Sequence, residues 1–539
     1  MDQSSPIGTA RPAESFAAPT PQLISISPDG ASAQPWTTRE IWILAAVVAV
    51  YIAARLYRNA AVCLDGDEIF SVGIARQGWS TLTAQAGADS IHPPLFYYLL
   101  KLWIYLGNDS LFWLRLLPSV FSVLAIVPTV LLARDLRLRP AEINGALGLA
   151  AIHPFLIYYS QHVRMYTLLM LCALTSLWLF HRTIAGGKRS ALARYLPLTL
   201  ANIVLVNSHY YGWLVVGLEC VYIVLWKREQ WKQAALSAAV TLAGFTPWLV
   251  VAGKYAYAKG GLASNLEWIQ KPGLGDLIWF FVDLAGFTDF PELGPRAIAA
   301  LTLLFFITAW FAWKNRRSLD SRQFAHVTGY LAYFLFGSVA IAFLASRVTP
   351  SSVWGHRHMI YLALPFLLMV ACAYCRTPAR AVRVSGAVLC AVWACLVIRH
   401  QLNGDDKKTP FDTLVLQMLE QEKTTSGPVT FFAVDKYLHY PIWFFLESLK
   451  DHRKTGFAAP IRNEDLGALA VEAARIEVKA NAAVSDAQGA HFWVGYTSAW
   501  NQKTLPEQLI VQRGCRVGPG LRVRDRYHTS TIFPVWCGS

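Results

Sequence analysis

The sequence predicts a mainly α-helical, polytopic membrane protein with about 11–13 transmembrane helices and a C-terminal extracytoplasmic α/β domain. Three observations predict it. Of 539 residues, 55% are hydrophobic and only 15% charged, with a mean hydropathy of +0.35, whereas soluble domains carry about 25% charged residues. Apolar runs such as Ile41 to Tyr57, and the stretch around Ser338 to Ala345, are of bilayer-crossing type. Basic residues gather in clusters between such runs. This balance excludes collagen-like, disordered and small disulfide-scaffold chains, and a simple cytosolic enzyme. The formal charge of +14 would elsewhere suggest nucleic acid; here the clusters read as cytoplasmic loops, and no nucleic-acid partner is expected.

Residues 1–38 are rich in Ser, Pro and Ala, without periodicity, and read as a disordered tail. The tail is too long and too uncharged to be the start of a signal peptide, so Ile41 onward reads as an uncleaved first span. Five basic loops follow, at Arg134–Arg139, His181–Arg194, Lys227–Lys232, Lys314–Arg322 and Arg376–Arg383. Placing all five in the cytoplasm requires two spans between neighbours. The chain supplies them at 142–158, 165–181, 195–208, 212–226, 233–251, 296–313, 324–345 and 356–375. With 41–57, 111–133 and 384–399 these make eleven, within a membrane domain of residues 39–399. The segment His92 to Gly107 is hydrophobic but starts on Pro-Pro and carries Lys101, so it reads as a helix lying at the interface inside a first outer loop, 58–110. Counting it as a span gives the twelve- or thirteen-helix alternative. A second outer loop, 252–295, holds the apolar stretch Leu277 to Phe287.

Residues 400–539 are more polar and read as a small α/β domain on the outer face. Pro428 to Val434 and Ala490 to Tyr496 are strand-like, and Asn463 to Ala480 is helix-like. Six of the nine cysteines lie in apolar runs and read as packing residues. Cys515 and Cys537 can pair if this domain is exported.

The topology places four polar clusters on one face: Asp65 to Glu68, His92, the turn Tyr158 to Tyr166, and Arg347 through His358, with His209 and Tyr210 joining from another turn. A carboxylate can take or orient the proton of an attacking hydroxyl, and arginine forks onto phosphate oxygens, which suits Arg164 and Arg357. Lys254, Lys259 and Lys271 can assist. His356-Arg357-His358 alone is a weak metal signature. Glu219, inside an apolar run, is the one ionisable group that would suit a transporter.

DGDEIFS, HPPLFYYLLKLW, the RLLPSVFSVL run and HPFLIYYSQHVRMYTLLML resemble the membrane glycosyltransferases of GT-C fold. The group in view is the dolichyl-phosphate-mannose protein mannosyltransferase and aminoarabinose (lipid A) transferase superfamily, of family 39 or 83 type. The resemblance is dense over residues 60–180. It implies a polyprenyl phosphate sugar as donor and a glycolipid, polysaccharide or protein hydroxyl as acceptor. It implies inverting displacement on the periplasmic face of the inner membrane. Its acidic pair falls on Asp67 and Glu68, with the catalytic role on Asp67 and Asp65 as a substitute. Donor phosphate and sugar would be met by His92, Arg164, Tyr166, His209, Lys271 and Arg357. Some relatives use a divalent cation. His162 stands where a Glu is common, and His358 follows Arg357 where a Tyr is common. The competing readings are another membrane transferase of O-antigen ligase or polymerase type, and a lipid-linked sugar transporter or flippase.

Overall fold

The computed structural model describes residues 35–186, 190–258, 269–287, 293–314, 321–403, 408–451, 463–480, 491–498, 506–525 and 528–538. The expected N-terminal tail lies almost wholly outside these residues, as does Lys259. α1 (Thr38–Leu56) opens on a reciprocal cap, in which Thr37 Oγ1 accepts from the Glu40 amide and Glu40 Oε2 accepts from the Thr37 amide. Three short helices fill the segment between α1 and the next long apolar stretch: α2 (Gly66–Ala75), α3 (Trp79–Asp89) and α4 (Leu95–Leu106). At about 1.5 Å per residue, α4 is too short to cross a bilayer. It buries Phe96, Tyr97 and Leu100 and exposes Tyr105 and Leu106, the one-sided pattern of an interfacial helix.

α5 (Leu111–Leu124) and α6 (Ile126–Asp135) make one 25-residue apolar rod. It bends at Ala125, where the ring of Pro128 opposes the Leu124 carbonyl four residues back. The span expected over 142–158 is likewise broken, into α7 (Pro140–Ala151) and α8 (Pro154–Ser160), because Pro154 pushes His153 out of helical geometry. Next come α9 (Tyr166–Ile184), α10 (Ala191–Ser208), α11 (Gly212–Trp226) and α12 (Trp231–Ala258). α12 runs seven residues past the expected end of its span, so Lys254 sits on a helix rather than in a loop. α13 (Leu274–Leu284), α14 (Pro295–Lys314), α15 (Ser321–Val348), a 3-10 segment (His356–Leu362) that feeds α16 (Ala363–Arg376), and α17 (Arg380–Asn403) complete the bundle.

Each of the eleven expected spans has a helical counterpart. Among the described residues, seven helical stretches are long and apolar enough to cross a membrane, and α4 and α11 are shorter apolar helices. The stretches Tyr166–Ile184 and His356–Arg376 are 72% and 78% buried, against 17% for Arg228–Tyr257 and 22% for both Pro295–Lys314 and Arg380–Leu402. α9 and α16 are therefore the central helices, and α12, α14 and α17 the lipid-facing periphery. Polar groups inside the bundle are matched to one another, as a low-dielectric interior demands. Arg55 donates to the Ala150 and Ala151 carbonyls at the end of α7. Arg376 forks onto Glu142, and Glu219 accepts from Ser176 at 2.5 Å and Asn202 at 2.7 Å.

The C-terminal domain comprises α18 (Phe411–Glu422), β1 (Val429–Ala433), α19 (Lys436–Lys450), α20 (Asn463–Ala474), β2 (Ile476–Ala480), β3 (His491–Ser498), α21 (Pro506–Gln512), β4 (Arg516–Val517), β5 (Leu521–Arg524) and β6 (Thr529–Trp536). The sheet order is β2-β1-β3-β6-β4, with β5 also on β6. β1 pairs parallel to β2 and β3, and β6 runs antiparallel to its neighbours. The helix expected over 463–480 ends at Ala474. Its last five residues alternate Ile476 and Val478 with charges, and they pair along β1 instead. Cys515 and Cys537 are joined as a disulfide. The domain seats α19 on α2. A Cβ at Gly73 would lie 2.8 Å from the Tyr440 hydroxyl, and the Arg76 guanidinium lies 5.1 Å from the centroid of the Phe444 ring.

Candidate active site

α2 begins on Asp65, whose carboxylate accepts from the Glu68 amide at 3.0 Å while Glu68 Oε2 accepts from the Asp65 amide at 3.1 Å. This capping box spends two of the three acids in Asp65–Glu68 on local structure. Asp67, between them at the second helical position, is left with a side chain 45% exposed, and the helix N-terminus favours its negative charge. Arg357 Nη1 lies 3.3 Å from Asp67 Oδ2. Arg164 Nη1 donates to the Asp67 carbonyl at 3.3 Å and to Ser71 Oγ at 3.1 Å. Burial pushes the Asp67 carboxyl upward, but Arg164, and then Arg357, outweigh it and hold the group below its ordinary value.

Glu68 points the other way. It is fully buried and accepts from Arg115 through both oxygens (3.0 and 2.8 Å), from the Val163 amide (2.9 Å) and from Lys408 (3.3 Å). Despite its burial, Arg115 and then Lys408 hold it below the usual range. Glu68, which the sequence pairs with Asp67 as a catalytic acid, thus has both oxygens engaged and no exposure, unlike Asp67. Asp65 meets His162 Nε2 at 2.8 Å.

Of the remaining expected residues, all but Lys271 converge on the same place. His92, His209 and His358 are nearly buried, their ring centroids 4.9, 4.9 and 6.2 Å apart. Tyr166 stacks on His162, approaches His358, and lies beneath the Arg357 guanidinium. Burial, reinforced by Arg164, pushes His92 well below its ordinary value and His209 down to about 3, so both rings are neutral at pH 7. The Tyr211 amide donates to His209 Nδ1 at 3.1 Å. Among the described residues, buried His92 Nδ1, His209 Nε2, Tyr97 Oη and Arg164 Nε have no partner, so together they offer hydrogen bonds to a polar ligand. Lys271 does not join this group: it is exposed on the segment entering α13.

Asp65, Glu68 and His162 bring ligand atoms within 4.8 Å of one another. They fit a divalent cation poorly, because Glu68 already faces a guanidinium at 2.8 Å and an ammonium at 3.3 Å, which a doubly charged ion would repel.

Three residues escaped the sequence reading. Arg115 interrupts an apolar span, and a cation there requires partners; it donates to Glu68 and to the carbonyls of Asn59, Val62 and Cys63. That signal was available. Lys408, in a polar linker, and Ser71, on an ordinary helical face, carried none.

An apolar groove of about 960 Å³ runs down the outside of the bundle between α13, α14, α15 and α16. Ile278, Leu303, Trp310 and Phe336 along it are exposed. Its lining extends from Ile298 to Trp313 of α14, about 22 Å of helix. Asp283, near the end of α13, pairs with His356, next to Arg357, so α13 links the groove to the polar cluster.

No family model matches the chain, and no curated protein matches it. Among solved structures it superposes on ArnT from Cupriavidus metallidurans bound to undecaprenyl phosphate. The TM-score is 0.52 at 12% identity, covering 92% of this chain and 98% of that one. The apo form of the same protein gives 0.53 at 12% identity, covering 91% and 97%. AglB from Archaeoglobus fulgidus, in complex with an inhibitory peptide and a dolichol-phosphate, gives 0.45 at 13% identity, covering 85% of this chain and 69% of that one. The two ArnT superpositions, end to end over a helical bundle followed by a C-terminal domain, establish that this chain has the GT-C fold.

Proposed function

We propose that the chain is an inner-membrane glycosyltransferase that moves a sugar from a polyprenyl phosphate donor to an acceptor hydroxyl in the envelope, on the periplasmic face. The observation that carries this reading is Asp67, a half-exposed carboxylate paired with Arg357 on a residue whose backbone carbonyl accepts from Arg164. In one step the acceptor oxygen attacks the anomeric carbon and its proton passes to Asp67. The bond from that carbon to the phosphate oxygen breaks, its electron pair leaving with polyprenyl phosphate. The single displacement inverts the anomeric centre. The charge developing on the phosphate is met by Arg164 and Arg357. A phosphate that draws Arg357 away from Asp67 also releases the carboxylate and raises its basicity when a base is needed. His92, His209, Tyr97 and Tyr166 line the recess where sugar hydroxyls would bind. Glu68 braces the loop, and the lateral groove suits an isoprenoid tail. No step is routed through a metal ion.

The test is transfer in detergent from a panel of radiolabelled polyprenyl phosphate sugars to a membrane-lipid extract, wild type beside Asp67→Asn. Product from the wild type alone supports the reading and identifies the donor. No product, together with no binding of any polyprenyl phosphate, would sink it in favour of transport.

A further inference from the structure

Lys408, Thr409 and Pro410 immediately precede α18, at the start of the C-terminal domain. Lys408 is 4% exposed. Its ammonium is 3.3 Å from Glu68 Oε2 and 3.3 Å from the Gln161 carbonyl, and 5.7 Å from the centroid of the Tyr158 ring. These contacts belong to two different elements. Glu68 is on the first turn of α2, one residue from Asp67. Gln161 precedes His162 and Arg164 on the turn between α8 and α9, and its side-chain amide is fixed in turn by the carbonyls of Arg55 and Tyr57.

The next residue, Thr409, is anchored on both domains. Its carbonyl accepts from Cys63 Sγ at 3.5 Å, just before α2. Its hydroxyl donates to Asp525 at the end of β5, which also accepts from the Tyr437 hydroxyl and the His528 amide. A continuous chain of polar contacts thus runs from the C-terminal sheet through Thr409 and Lys408 to the two loops that hold Asp67 and Arg164. A lysine buried this deeply is retained only if it is matched. Its acceptors are a carboxylate already braced by Arg115 and a carbonyl of the opposing loop, so its geometry spaces the two loops.

We infer that Lys408 is a positioning residue. From the linker it ties α2 to the Gln161–Arg164 turn, so the seating of the C-terminal domain sets the distance between Asp67 and Arg164. This rests on the glycosyltransferase reading for its effect on rate, but not for its effect on the loops.

The experiment compares full-length wild type, Lys408→Met and Lys408→Arg. A misplacement of about 1 Å at the chemistry costs on the order of 10²-fold. Lys408→Met should therefore lose roughly that factor in kcat, with the donor KM within threefold and binding of undecaprenyl phosphate unchanged. Lys408→Arg, which keeps the charge and reaches both acceptors, should recover most of the rate. Amide hydrogen exchange should rise at least tenfold at Asp65–Glu68 and at Gln161–Arg164 in Lys408→Met, while the rest of the bundle is unchanged. Exchange at both loops unaltered in a folded Lys408→Met overturns the proposal whatever the activity. So does a wild-type kcat in that variant. Should the wild type transfer nothing from any donor, the glycosyltransferase reading fails, and the exchange measurement still decides the role of Lys408.

Discussion

Replacing Asp67 by asparagine removes one negative charge and almost no volume, and its neighbour supplies a built-in comparison. Asp67 is 45% exposed and pairs with Arg357 at 3.3 Å. Partly solvated pairs of this kind contribute about 0–1 kcal/mol, so Asp67→Asn should melt within a few degrees of the wild type. Loss of a positioned base costs about 10²–10⁴-fold, so kcat should fall by that range while donor binding persists. Glu68→Gln is the opposite case. It leaves the buried side chains of Arg115 and Lys408 without their buried counter-charge. Breaking such a pair costs about 3–5 kcal/mol. The readouts are labelled transfer, a thermal melt in the same detergent, and undecaprenyl phosphate binding by each protein. The division of labour between the two acids is refuted if Asp67→Asn transfers at near wild-type rate, or if Glu68→Gln is as stable as the wild type and inactive.

The other predictions follow from the same geometry. Arg164→Ala and Arg357→Ala should each weaken donor use, seen as a lower kcat/KM; unchanged kinetics in both would mean the phosphate is held elsewhere. Chelation with EDTA should leave transfer unaltered, because Glu68 is already occupied by two cations; loss of activity restored by added magnesium or manganese would contradict this. Stability should fall as pH drops below the ordinary histidine value of 6.5, since the folded state keeps His92 and His209 neutral and only the unfolded chain takes up their protons. Each such group contributes a slope of about 1.4 kcal/mol per pH unit, so His209→Gln should flatten the melting profile between pH 5 and 6.5. The acids act lower down. The stability that Glu68 and Asp65 contribute through their depressed values is fully present above the ordinary carboxylate range and is lost as pH falls through their folded-state values.

Much of the bundle was legible because hydropathy and the placement of basic residues report directly on a bilayer. Every expected span has a helix, and the interfacial reading of Leu95–Leu106 rested on the same logic. The breaks at Ala125 and Ile152 were not called, although Pro128 and Pro154 were there to see. The convergence of Asp67, His92, Arg164, His209 and Arg357 was legible because the topology put them on one face. Orientation was not: three acids in four residues look alike in sequence, and only the capping geometry separates Asp67 from Asp65 and Glu68. Lys408 was invisible because a lysine in a polar linker differs from a solvated one only through a tertiary fold that encloses it. The strand at Ile476–Ala480 reads as the end of a helix because its alternation of Ile476 and Val478 with charges is too short to decide until β1 lies alongside.

The groove between α13 and α16 is open sideways, toward lipid rather than toward water. A ligand entering that way is sampled by diffusion in two dimensions, and what governs occupancy is its mole fraction in the surrounding amphiphile, not its molarity in the tube. Added detergent would then act as a diluent at fixed substrate, lowering the rate without touching the protein. Constants measured in micelles would carry over to a bilayer only when restated per molecule of lipid.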